Sequence, residues 1–112
     1  MSDKLFNEIK YFTVKQAGVE ESEVTKDASL EDDLGIYGDD AVDFIVAFGK
    51  KFNVNVSKFN AADYFSPDGD FLLPAIIRLF TGKKKRKLKD LKIIHLEKAI
   101  LNGRLDEDVI NS

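Results

Sequence analysis

The segment that most constrains the fold runs from residue 39 to residue 52, where apolar side chains recur at steps of three or four. This period places them along one side of an α-helix, so the segment predicts an amphipathic helix from about Asp39 to Phe52. Acidic residues crowd its first turn, where they complement the positive end of the helix dipole and cap free amides. Lys50 and Lys51 complement the negative end of the dipole in the last turn. The apolar residues of the stripe are Val42, Phe44, Ile45, Phe48 and Phe52.

Two other segments have the same helical period. The first is predicted to run from an N-cap at Ser2 or Asp3 to a stop at Gly18. The last is predicted to run from an N-cap at Asp90 to a stop at Gly103. Both therefore predict helices with one apolar face.

An acidic loop, residues 19–37, separates the first two helices. Its length is unusual in a compact domain and is typical of loops that are functional or ordered by their own packing. One or two helical turns are predicted over residues 59–65, and a strongly apolar helix over residues 71–80. The apolar residues expected to pin the acidic loop onto the core are Val24, Leu30, Leu34 and Ile36.

These segments predict an all-α fold in a single domain, residues 1–112. Residues 1–80 would form the helical core, residues 81–89 a basic connection, and residues 90–112 a final helix and tail. The predicted hydrophobic core consists of Leu5, Ile9, Phe12, Leu34, Val42, Ile45, Phe48, Phe52, Phe65, Ile76, Leu79 and Ile94.

Composition narrows the chemistry that such a fold can carry. With 44% hydrophobic and 33% charged residues among 112, the chain suits one globular domain, and without cysteine it has no disulfide, thiol nucleophile or cysteine-bound metal. Charge is uneven: residues 1–70 hold 15 acidic and 7 basic side chains, whereas residues 71–112 hold 5 and 10. An acidic surface of this kind attracts a basic protein partner. No signal peptide or membrane span is recognised, so a cytoplasmic protein is expected.

Residues 31–43, EDDLGIYGDDAVD, resemble the D-L-G-x-D-S-L motif that opens the second helix of acyl carrier proteins. The resemblance covers about residues 1–80 and implies the four-helix domain of that family. Asp43 replaces the usual glutamate. The matching positions are Asp33, Leu34, Gly35, Asp40, Val42 and Phe52.

The departures from the motif bear on function. In carriers, phosphopantetheine esterifies the motif serine, but Gly38 occupies that position here, with Tyr37 before it and Asp39 after it. The resemblance therefore implies a carrier-like protein without this cofactor. An acyl carrier modified at another serine, such as Ser29 or Ser66, is the alternative.

A second resemblance spans nearly the whole chain. Uncharacterised bacterial acyl-carrier-like proteins have GDD at this turn and a further C-terminal helix with an HLE..AI..G signature, which is present here from His95 to Gly103. It implies an acyl-carrier-like four-helix bundle with an additional C-terminal helix. Because the activity of that group is unassigned, this resemblance informs the fold more than the function.

Two hypotheses account for the turn before the second helix. In the structural one, Gly38 eases a tight turn and the neighbouring acids only cap the helix. In the functional one, fixed negative charge stands where carriers present a phosphodiester and docks an enzyme or regulator that recognises carrier proteins. Neither hypothesis includes covalent catalysis, and no enzyme activity is expected. The candidate protein-binding residues are Tyr37, Gly38, Asp39, Asp40 and Asp43.

A basic run near the C-terminus has two interpretations as well. It is either a solvated linker or a site for anions or nucleic acid, whose binding would weaken as salt rises. Sequence-specific nucleic-acid binding is not expected, because the final helix lacks the arginine, asparagine and glutamine pattern that reaches base edges. A membrane role is not expected either, because the sequence has no amphipathic basic helix with exposed aromatic residues. The single histidine, His95, is interpreted as a structural residue of the last helix. The basic run consists of Lys83, Lys84, Lys85, Arg86 and Lys87.

Overall fold

Residues 3–66 and 89–112 are described by the structure, a computed structural model. In these two ranges the chain forms α-helices, one 3₁₀ helix over Glu21–Glu23 and turns, and it forms no β-strand. The predicted all-α helical bundle is confirmed. The α-helices are α1 (Asp3–Ala17), α2 (Gly38–Phe52), α3 (Ala61–Tyr64), α4 (Ile93–Asn102) and α5 (Glu107–Ile110).

Helix α1 ends where its sequence predicted. Gly18 follows it with φ of 73°, a left-handed conformation that glycine adopts at helix ends without steric cost. The helix buries Ile9 and Phe12, and the Thr13 hydroxyl donates to the carbonyl oxygen of Ile9 at 2.8 Å. That bond satisfies the one polar side chain that α1 buries.

Helix α2 begins at Gly38, one residue earlier than predicted, with Tyr37 as its N-cap. No side chain makes a capping hydrogen bond there, so the expectation that the acids cap free amides is wrong. Asp39 and Asp40 do lie in the first turn, where negative charge complements the helix dipole. At the other end, Asn53 closes the helix with φ of 58°.

The buried side of α2 is rotated from the one predicted. Val42 was expected in the core, but 48% of its surface is exposed. Phe12 of α1 sets this rotation, because its ring packs edge-on against Phe44 at 5.2 Å and Phe52 at 5.6 Å between ring centroids. The residues that α2 buries are Ala41, Phe44, Ile45 and Phe48.

The acidic loop packs onto the core through its four apolar residues, as predicted. All four are buried: Val24, Leu30, Leu34 and Ile36. It also pairs with the segment before α4. The Leu30 N–H donates to the Leu91 carbonyl oxygen at 2.9 Å, and the Ile93 N–H donates to the Ala28 carbonyl oxygen at 3.0 Å.

This pairing corrects the predicted start of the last helix. Asp90 is not its N-cap, since α4 begins at Ile93 and the Asp90 carboxylate accepts the Ser29 hydroxyl at 2.5 Å. Ile93 is completely buried, whereas Ile94, which was predicted in the core, is half-buried. The predicted stop is confirmed, because Gly103 ends α4 with φ of 76°.

Helix α5 was predicted only as a tail. Its N-cap is Asp106, whose carboxylate accepts the Val109 N–H at 3.0 Å, and it buries Val109 and Ile110. Residues from both described ranges share one hydrophobic cluster, which includes Ile9, Phe48 and Leu96. The predicted helix over residues 71–80, with Ile76 and Leu79, lies outside the described residues. That the whole chain, residues 1–112, forms a single domain stays a prediction.

Candidate functional site

The candidate site is the head of α2, residues 37–43, together with the loop that leads into it. Gly38 has φ of 62°, and its N–H donates to the Ser66 carbonyl oxygen at 3.0 Å. The Ser66 N–H in turn donates to the Glu31 carboxylate at 2.8 Å. Glu31 thus holds the backbone of Ser66, which in turn binds the first residue of α2.

Acidic side chains at the head of α2 are exposed to solvent: Asp39, Asp40 and Asp43. Within the described residues they form no ion pair and accept no side-chain hydrogen bond. Their charge is therefore available to another molecule.

Exposed apolar side chains lie next to these acids. Tyr37 is 46% exposed, Val42 48% and Val46 45%. Apolar surface surrounded by charge is the arrangement found in the centre and rim of protein interfaces. Val46 was not predicted as a site residue, although its position four residues after Val42 could have identified it.

The outward face of α2, defined as Asp39, Asp43, Val46 and Lys50, changes its charge from one end to the other. These residues are separated by four, three and four positions, so they lie in one line along the helix. All four are exposed. A partner that follows this line meets negative charge first and positive charge last.

A cleft of about 320 Å³ lies beside the head of α2. Its lining includes the acidic residues Asp40 and Asp43, the polar Gln16, and apolar residues. The apolar residues include Leu34, Ile36 and Phe44. A cleft that combines acidic and apolar residues suits a long basic side chain, whose stem is apolar and whose end is positively charged.

A match to a family model adds to this geometry. The model described as "Protein of unknown function (DUF1493)" matches residues 3–105. The chain belongs to this family. Its members are described as of unknown function, so the match assigns no activity.

Curated acyl carrier proteins are similar to part of this DUF1493 protein. The acyl carrier protein of Trieres chinensis is 36% identical over 63 residues, which are 56% of this chain and 79% of that protein. The acyl carrier protein of Thermotoga maritima is 39% identical over 54 residues, which are 48% of this chain and 67% of that protein. Homology to acyl carrier proteins, as the motif around Leu34 and Gly35 implied, is therefore confirmed, and the similarity covers about half of the DUF1493 chain.

The five candidate residues of this DUF1493 protein lie together at the head of α2. Tyr37 is its N-cap, and its first two turns contain Gly38, Asp39, Asp40 and Asp43. The basic run Lys83–Lys87 lies outside the described residues, and its role as linker or anion site stays a prediction. No helix in the described ranges is long and apolar enough to cross a membrane.

Two other residues named from the sequence have structural partners. Ser29, an alternative attachment point, is 3% exposed, and its hydroxyl donates to Asp90. His95 Nδ1 accepts the Lys92 N–H at 2.9 Å, which satisfies an amide before the first turn of α4. Burial, followed by the positive charges of Lys98 and Lys92, lowers the pKa of His95 below its usual range, and Asp90 partly offsets this.

Proposed function

We propose that this protein is a non-catalytic, carrier-like module that docks a protein partner through the head of α2 and takes no phosphopantetheine at position 38. The observation that carries the proposal is Gly38 itself. It occupies the turn where the acyl carrier motif has its serine, and it has no side-chain oxygen to form a phosphodiester. Its φ of 62° also disfavours any L-residue at this position.

Exposed charge and exposed apolar surface support the docking role. Asp39 and Asp40 have no side-chain partner among the described residues, so binding breaks no internal contact of theirs. Val42 and Val46 add apolar area that gains from being covered. The structural hypothesis explains the acids through the helix dipole, but it gives no reason for half-exposed valines beside them.

The partner has a recognisable chemistry. Carboxylates at this turn stand where a carrier presents its phosphodiester, so a partner with lysine or arginine side chains built for carriers finds a similar charge. The cleft beside Asp40 and Asp43 would receive one of these basic side chains. An enzyme or regulator that recognises carrier proteins is the partner class that fits.

The test uses a broad-specificity phosphopantetheinyl transferase, coenzyme A and the acyl carrier protein of Thermotoga maritima as the acceptor. We expect the intact mass of this chain to remain unchanged, because position 38 offers no hydroxyl. We also expect the chain to inhibit transfer to the carrier competitively. Replacing Asp39 and Asp40 together by Asn should raise the inhibition constant about 5- to 100-fold, which corresponds to about 1 to 3 kcal/mol of lost charge-assisted contacts.

A matched control removes equal charge elsewhere. Glu8→Gln combined with Asp27→Asn neutralises two exposed acids outside the head of α2 and should leave the inhibition constant unchanged. Both double variants should keep their stability within about 1 kcal/mol, since dipole effects of single surface charges are small. A gain of one phosphopantetheine mass would contradict the missing attachment site. Inhibition that the Asp39 and Asp40 replacements leave intact would contradict docking through this head.

A further inference from the structure

The outward face of α2 has a negative charge near one end and a positive charge near the other, so it can complement a second copy of itself. Asp43, Val46 and Lys50 follow one another at steps of three and four, so their side chains lie in one line. All three are exposed, and 45% of the Val46 surface lies in solvent. Among the described residues, neither Asp43 nor Lys50 takes part in an ion pair.

An antiparallel second copy would satisfy both ends of this line at once. At about 1.5 Å of rise per residue, Asp43 and Lys50 are about 10 Å apart along the helix axis, and Val46 lies near the midpoint. With a two-fold axis beside Val46, Asp43 of each chain meets Lys50 of the other. The two Val46 side chains then meet at the centre. Since a two-fold axis uses the same surface of both chains, every contact is made twice.

We propose that the protein self-associates weakly as an antiparallel dimer through the outward face of α2. The occupant is a second copy of this chain because the order of charge, acid before base, complements itself in the antiparallel orientation. A parallel copy would bring like charges together. The face is small, so the dimer belongs with weak, reversible interfaces and not with obligate ones.

This inference goes beyond the proposed docking function. The two surfaces overlap at Asp43 and Val46, so a second copy would compete with the docking partner. A second copy and a carrier-recognising partner cannot cover Val46 at the same time. Dimerisation would therefore cover the apolar centre of the face in the absence of the partner, and partner binding would release monomers.

Sedimentation equilibrium of the full chain measures the association from about 10 µM to about 1 mM, the range of dissociation constants expected for weak interfaces. The average mass of the wild-type chain should rise with concentration towards twice that of one chain. Asp43→Lys and Lys50→Asp each place like charges together at both contacts, so each variant alone should associate about tenfold more weakly or worse.

The decisive sample is an equimolar mixture of the two variants. A mixed pair again places opposite charges together at both contacts, so the mixture should associate about as strongly as the wild-type chain. Loss of folding cannot produce this result, because an unfolded variant would not recover on mixing. Lys51→Asp makes the same charge change one residue later, about 100° around the helix, and should leave association unaltered.

Two results would overturn the dimer. One is an average mass that stays at that of the monomer up to a protein concentration of about 1 mM, which equals the largest dissociation constant that the proposal allows. The other is a mixture of the variants that associates no better than either variant alone. Transferase inhibition separates the two proposals: a monomer that still inhibits leaves the docking proposal standing, and a dimer that does not inhibit removes the docking proposal alone.

Discussion

Gly38 begins α2 with φ of 62°, in the left-handed region that costs an L-residue about 1 to 2 kcal/mol and costs glycine almost nothing. Its N–H donates to the Ser66 carbonyl oxygen, and the Glu31 carboxylate accepts the Ser66 N–H. The motif alone reveals the missing hydroxyl at this position. The backbone adds a second reason for glycine, since a side chain here would be strained.

Replacing Gly38 by Ala should therefore lower the free energy of unfolding by about 1 kcal/mol or more. Gly38→Asn is the matched control, because Asn tolerates the left-handed conformation better and should lose less. Urea denaturation of the three proteins measures the difference. An Ala variant as stable as the wild-type chain would mean that α2 starts with a different backbone in solution.

Glu97 is a buried residue in unfavourable surroundings. It is 0% exposed on the inner side of α4, and among the described residues neither carboxylate oxygen has a hydrogen-bond partner. A buried polar group without a partner costs free energy that an apolar group of similar size does not. This burial was not predictable from the sequence, because glutamate is almost never fully buried unless it is paired.

We predict that Glu97→Leu stabilises the fold, by about 1 to 3 kcal/mol, since it keeps the volume and removes two unpaired oxygens. Thermal unfolding followed by circular dichroism is the measurement. Glu8→Leu, an exposed glutamate of α1, serves as the control and should change stability little. A lower melting temperature for Glu97→Leu would show that the carboxylate has a partner in solution.

At the scale of elements, the start of α4 depends on an unusual capping residue. Lys92 is the N-cap and has no side-chain oxygen, so His95 supplies the acceptor by receiving the Lys92 N–H on Nδ1. Glutamate or glutamine commonly does this at the same position of a helix. A histidine makes the contact sensitive to protonation, because the protonated ring has no acceptor.

Stability should consequently fall as the pH drops below about 6.5, the ordinary pKa of histidine. Because the folded chain lowers the pKa of His95, the unfolded chain binds more protons between that lowered pKa and about 6.5, so unfolding is favoured as pH falls through this window. Above the window the contribution is constant. Urea midpoints from about pH 5 to about pH 7.5 measure it.

The matched variant is His95→Gln, which keeps an acceptor at this position and does not titrate. Its urea midpoint should vary less with pH over the same window. Equal pH dependence in both proteins would assign the effect to other groups and contradict the role of His95.

At the scale of the whole molecule, Ser29 joins the acidic loop to the C-terminal helices. Its hydroxyl donates to the Asp90 carboxylate and accepts the Asp32 N–H at 3.1 Å, while its own N–H donates to the Asp33 carboxylate at 2.8 Å. Backbone pairing of Leu30 with Leu91 lies beside it. The segment that follows residue 88 is thus bound to the loop that leads into α2.

Ser29→Ala should cost about 1 to 3 kcal/mol of stability, because it removes a buried hydroxyl that makes two hydrogen bonds, one of them to a charged group. Ser22→Ala, at an exposed position of the 3₁₀ helix, should be nearly neutral. Chemical denaturation compares the two. Equal stability of both variants would mean that backbone pairing alone holds this junction.

The sequence by itself determined those features that depend only on residues close together in the chain. The ends of α1 and α4 at Gly18 and Gly103 were predictable because a helix stop depends on backbone freedom at one position. The all-α class followed from the helical period of the apolar residues. Among the site residues, the acids at the head of α2 were evident from their clustering, and Gly38 was evident from the motif that it interrupts.

Only the tertiary structure decided features that depend on distant residues. Asp90 was mistaken for a cap because its partner, Ser29, lies far away in the sequence, and Val42 was mistaken for a core residue because the packing of α1 and Phe12 sets the rotation of α2. Helix α5 is too short to show a period. The outward face with Val46 likewise became visible once the buried side was known, since a helical pattern fixes the spacing of side chains but not the direction of the core.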